Sequence, residues 1–141
     1  MAYTTIDDPS AHFHIQLYSA NGSTNAITND ANAGNIKPDL LWVKIRSHEN
    51  GHSVFDTSRE TSGESTLVIR TNNSNAEGDI AGDGMTSIDA DGFTFNGNGA
   101  GGSVNEDGRN GMAWQWKANG GTRTTNTESG NNPGGGYQAN T

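Results

Sequence analysis

His48-Glu49-Asn50-Gly51-His52 matches, letter for letter, the pattern with which zinc proteases present two imidazoles and a general base to a metal. That chemistry requires a helix, because only i, i+4 spacing on a helical surface puts both rings on the same side of the ion. Asn50-Gly51 at its centre opposes helix formation, and the same dipeptide supplies the two positive φ angles of a type I′ hairpin turn. No third ligand follows at the expected spacing. The segment is therefore read as a turn.

Glu77-Gly78-Asp79-Ile80-Ala81-Gly82 has the start of a glycosidase carboxylate strand, but Gly82 stands where the second glutamate would be, so the nucleophile and acid pair is incomplete. Asp89, Asp91, Asn96 and Asn98 are hard oxygen donors close in sequence and could cup a calcium ion if their loop curled. Their spacing is not that of an EF-hand, and the same residues serve turns. His12 and His14 would point the same way from a strand, and they are read as two solvent-facing side chains on a half-buried strand. Trp42, Trp114 and Trp116 could offer rings for stacking on a sugar, but apolar neighbours at period two favour core packing for at least two of them. A core Trp114 would cost about 3–5 kcal/mol on truncation to alanine.

Positioning any such groups falls to short strands. The densest apolar run, residues 36–46, alternates Leu41, Val43 and Ile45 against Leu40, Trp42, Lys44 and Arg46, with Pro38 and Asp39 marking its start. Residues 12–18 alternate Phe13, Ile15 and Leu17, the expected core face, against His12, His14, Gln16 and Tyr18. Asn21-Gly22 supplies a turn. Further strands are expected at 53–57, at 66–71 and at 86–95, the last as a pair joined by Asp89-Ala90-Asp91-Gly92. Residues 97–108 read as a loop. Residues 111–117 set Met112, Trp114 and Trp116 toward the core against Ala113, Gln115 and Lys117. No window carries a helical period.

Composition agrees with turn-rich β structure: 141 residues, 30% hydrophobic, 17% charged, and glycine alone counting 20. A net charge of −8 argues against nucleic acid and anionic lipid, which need clustered cations. Without cysteine there is neither a disulfide framework nor a thiolate metal site. The start MAYTTIDDPS shows no signal-peptide pattern, and no apolar run approaches the ~20 residues of a membrane span.

The segments MAYTTIDDP, LYSANGST, KPDLLWVKIRS, VFDTSRE, TSIDADGFTF and MAWQWKANGG occur in this order between Met1 and Gly121. Together they resemble the concanavalin A-like sandwich module of tail-fibre and other structural proteins of marine tailed phages. Residues matching that pattern are Pro38, Asp39, Trp42, Lys44 and Arg46, then Phe55, Asp56 and Arg59, then Ser87, Asp89, Asp91, Gly92 and Phe93, then Ala113, Trp114, Trp116, Lys117 and Ala118. Glu60, Ile88 and Gln115 depart from it at positions usually held by Gly, Phe and Cys.

The resemblance implies an all-β, antiparallel sandwich of concanavalin A-like or jelly-roll type at 1–118, followed at 119–141 by an extended C-terminal tail rich in Gly, Asn and Thr. It carries no catalytic set, metal or cofactor. The implied function is a non-enzymatic virion component, exposed on a tail fibre and aiding host attachment through glycan or protein contacts. A capsid decoration protein or a free glycan-binding lectin is the alternative. Its partners would be other virion proteins, copies of itself as a homo-oligomer, and a host-surface glycan, with no membrane insertion. The tail is read as a linker or an assembly arm, with Tyr137 as its docking residue. Manufacture in the host cytoplasm and release by lysis would place it on the virion without a signal peptide.

Overall fold

The run that opens at Leu40 becomes an interior strand, and its alternation is realised: Leu41, Val43 and Ile45 are buried, while Leu40, Trp42 and Lys44 are half-buried on the opposite face. The computed structural model describes residues 8–31, 33, 36–57, 59, 67–79, 84–97, 104–117, 123–125 and 138–140. Within them, a 3₁₀ turn, Pro9–Ala11, is capped by the Asp8 carboxylate, which accepts from the backbone N–H and hydroxyl of Ser10 at 3.0 and 2.5 Å. The strands are β1 (Phe13–Ser19), β2 (Asn25–Thr28), β3 (Leu40–Ile45), β4 (His52–Asp56), β5 (Leu67–Arg70), β6 (Gly78–Asp79), β7 (Met85–Asp89), β8 (Gly92–Phe95), β9 (Asn110–Trp116), β10 (Arg123–Thr125) and β11 (Gln138–Asn140).

A large sheet runs β1-β9-β3-β4-β5-β6 and a small one runs β2-β8-β7; every pairing is antiparallel. The two pack face to face, giving the expected all-β sandwich. Strand β9 sits inside the large sheet, between β1 and β3. In the C-terminal segment, β10 and β11 pair with each other as a separate ribbon. Strand β2 was not expected, because Ile27 is its one large apolar residue; it pairs with β8 and buries that side chain.

The β3–β4 hairpin differs from expectation at its turn. The connection spans 46–51, and Gly51 is not among the glycines with positive φ, so no type I′ turn forms at Asn50-Gly51. Tertiary bonds shape this loop: the Arg46 N–H donates to the Asn110 carbonyl at 2.8 Å and the His52 N–H to Asn72 Oδ1 at 3.0 Å. Gly22, with φ 67°, does make the left-handed turn expected after β1.

Between the sheets lie Phe55, Phe93, Phe95, Met85, Val68 and the inward row of β3. Phe93 and Phe95 pack edge to face at 5.1 Å, and Tyr18 meets them at 6.1 and 5.5 Å. Opposite these rings the large sheet presents Gly111 and Ala113, both buried. Sheets about 10 Å apart leave no room for large side chains from both sides, so small residues on β9 are what let the β8 rings in.

This complementarity overturns the expected orientation of two strands. On β1, His14 and Tyr18 are turned inward and Phe13, Ile15 and Leu17 outward; on β9, Ala113 and Gln115 face the core and Met112, Trp114 and Trp116 the outside. His14, expected in solvent, is buried, with Nε2 3.3 Å from Gln16 Oε1 and 3.6 Å from Asp30 Oδ1, while His12 is exposed. Gln115 is fully buried and donates to Asn29 Oδ1 at 2.6 Å.

Tyr18 is fixed at both ends, its ring among the phenylalanines and its hydroxyl donating to the Val104 carbonyl at 2.5 Å. Burial pushes its phenol well above the ordinary value of 10.0. The native state therefore keeps a proton that the unfolded chain releases near pH 10; the corresponding stability is complete below that pH and declines as the pH rises past it. Urea midpoints are expected to fall from about pH 10 upward, and Tyr18→Phe should flatten that fall. Equal alkaline slopes for the two proteins would contradict this role for Tyr18.

Candidate functional surface

The inversion of β1 and β9 leaves the outer face of the large sheet apolar. The pairing registers arrange its side chains in rows across the strands. The middle row runs Ile15, Trp114, Trp42, Val54, Ile69, apolar throughout. One flanking row runs Phe13, Trp116, Leu40, Asp56, and the other Leu17, Met112, Lys44, His52. Phe13, Ile15, Leu17 and Ile69 are 38, 42, 52 and 40% exposed, values at which isolated residues draw no comment but a contiguous set does.

The rings contact one another within and between these rows. Trp42 lies 5.7 Å from Trp114 and 5.8 Å from His52, and Phe13 lies 5.2 Å from Trp116, all tilted by 48–59°. The Trp42 indole N–H donates to His52 Nδ1 at 3.1 Å, which leaves His52 Nε2 as the nitrogen able to carry a proton toward a ligand. All three tryptophans are half-buried by this mutual packing and by the strands beneath, and none lies in the core. Trp114→Ala is accordingly expected to cost about 1–2 kcal/mol, against about 3–5 for Phe93→Ala. Matched thermal melts of the two variants check this; equal losses would return Trp114 to the core.

The rims of the face are polar and opposite in sign. At one, Arg59 donates through Nε to Asp56 Oδ2 at 2.6 Å, through Nη1 to Glu77 Oε2 at 2.5 Å and through Nη2 to the Val54 carbonyl at 3.1 Å. Burial opposes the guanidinium charge, but bonds to Glu77 and Asp56 outweigh it and raise its pKa. Two carboxylates on one guanidinium leave this clamp net negative. At the other rim Lys44 Nζ donates to the carbonyls of Ile45 and His48 at 2.6 and 3.1 Å. Beyond it, a hydrogen bond from Arg109 lowers the pKa of Glu106.

The groups singled out for chemistry are not brought together. His48 lies on the β3–β4 loop and His52 on β4, so the HExxH letters never form a helix. The calcium candidates are separated by their hairpin. Asp89 and Asp91 flank its turn and Asn96 follows its far end, about 10–14 Å away along the strand. Both Asp89 oxygens already accept hydroxyl bonds, from Ser87 at 2.9 Å and Thr94 at 2.8 Å, and Asn96 Oδ1 accepts from Thr24 at 3.1 Å. Asn98, the fourth candidate, and Tyr137, the assembly candidate, lie outside the described residues. Among the described residues no three His, Cys, Asp or Glu side chains gather as a metal site would require. The acidic turn that looked like a ligand set is a hairpin brace.

A family model described as a domain of unknown function, DUF7483, matches residues 8–133. No curated protein and no solved structure matches the chain.

Proposed function

We propose that this chain, which belongs to the DUF7483 family, is a non-enzymatic binding module of a phage virion, exposed on a tail fibre and acting in attachment through glycan or protein contacts. The observation that carries the binding part is the outer face of the large sheet, where the bulkiest apolar residues of β1 and β9 point away from a core that is already filled. Contiguous exposed apolar faces mark contact surfaces. The virion part is supported by the ordered motifs from MAYTTIDDP to MAWQWKANGG.

Mass-spectrometric inventory of purified, nuclease-treated particles tests the virion assignment, with the chain expected at many copies per particle. Labelling of particles with an antibody to the domain separates a tail position from capsid decoration. Absence from particles would overturn the assignment and leave a free lectin as the reading to pursue, through a glycan array with Trp42→Ala as control.

A further inference from the structure

We propose that the outer face of the large sheet is the contact between two copies of this chain, packed sheet on sheet about a two-fold axis along the row Ile15–Trp114–Trp42–Val54–Ile69. This rests on reading that face as a binding surface and names its occupant.

Three properties of the face select a second copy. Its extent is right: outward side chains from five strands about 4.8 Å apart cover roughly 20 by 20 Å before rim loops are added, the centre of an interface that takes about 800 Å² from each partner. Its chemistry is right for sheet-on-sheet packing, with interlocking tilted rings rather than one flat ring presented for a sugar. Its charges are also self-complementary under one operation. A half-turn about the middle row lays that row on itself and exchanges the flanking rows. The row of Lys44 and His52 then lies over the partner's row of Leu40 and Asp56, so that His52 faces the partner's Asp56, in its net negative clamp with Arg59 and Glu77, and Lys44 lies one strand away from that clamp. A half-turn about the other in-plane axis, the strand direction through Trp42, would instead lay the row of Lys44 and His52 on itself and the row of Leu40 and Asp56 on itself. An isologous contact of this kind closes at two copies.

The geometry fixes a cross-linking pattern, and a chain with no cysteine makes it clean to read. Residues on the axis face themselves, so Ile69→Cys should link to its own copy through a short bis-maleimide. Phe13 and Leu17 exchange rows, so a mixture of Phe13→Cys and Leu17→Cys should link while neither links alone. Light scattering on the full chain should give a dimer. Ile69→Glu, at an exposed position, should keep the circular dichroism and melting temperature of a folded domain yet weaken the dimer at least about tenfold, because two carboxylates then meet on the axis. A chain monomeric at every concentration overturns the proposal. So does a dimer that Ile69→Glu leaves intact, or one in which Ile15→Cys links and Ile69→Cys does not, since that pattern marks pairing through the β1 edge. Particle inventory is independent of these outcomes, so a monomer still found in virions would reject the dimer alone.

Discussion

Asn105→Ala is expected to destabilise the domain by about 3–5 kcal/mol, although the residue lies in a loop. Its side chain is fully buried and ties the β1–β2 loop and the start of β2 to the two ends of its own β8–β9 loop. The amide nitrogen donates to the carbonyls of Ser23 and Gly97 at 2.6 and 3.0 Å and to Asn21 Oδ1 at 3.3 Å. The amide oxygen accepts from the Asn21 N–H at 3.2 Å and from Asn25 Nδ2 at 2.9 Å. Alanine would strand all of these at once. Asn105→Asp is a sharper test, because an ionised carboxylate would face two carbonyl oxygens; its loss should be severe at neutral pH and ease in acid as the added group protonates. Urea titrations at pH 7 and pH 4 measure both variants. An alanine variant within about 1 kcal/mol of wild type would mean that the hub is dispensable.

Gly111→Ala is the second large effect. A Cβ at this position would sit 2.1 Å from Tyr18 Cζ and 2.5 Å from its hydroxyl oxygen. The ring has nowhere to move, being hydrogen-bonded to Val104 and wedged against Phe93 and Phe95. One methyl group should therefore cost at least the upper end of the usual overpacking range, about 3 kcal/mol. Gly111 and Tyr18 are directly paired across β1 and β9, so the penalty should nearly vanish in a Tyr18→Ala background. Additive losses in that double-mutant cycle would show that the clash is relieved elsewhere.

Strand positions were legible in the sequence because period two survives in every long strand. The facing was not. On β3 the apolar set falls on one side, and Leu41, Val43 and Ile45 do form the core. On β1 and β9 both sides carry apolar character, and hydrophobicity alone picks the bulkier set. The deciding information lies in other strands: Phe93 and Phe95 on β8 and Tyr18 on β1 fill the space over β9, so β9 must contribute glycine and alanine there. A large–small match across two sheets has no local signature. The only sequence trace of the inversion is the small and polar set Gly111, Ala113 and Gln115 alternating with the bulky one on β9. Asn105 was equally hidden, since partners 80 and 84 residues away give no local pattern. Asp89, Asp91 and Asn96 show the reverse case, since residues near in sequence are spread along a hairpin.

Intrinsic fluorescence tests the central claim most directly, that the outer face is apolar and serves as a contact surface. All three tryptophans of the chain, Trp42, Trp114 and Trp116, lie on that face and none in the core, so the whole signal reports on it. In dilute wild-type protein and in Ile69→Glu, acrylamide should quench the indoles readily. As wild-type protein is concentrated, quenching should fall and emission shift to the blue, while Ile69→Glu stays unchanged. Indoles that resist quenching at every concentration in both proteins would place the tryptophans in a core and contradict the account.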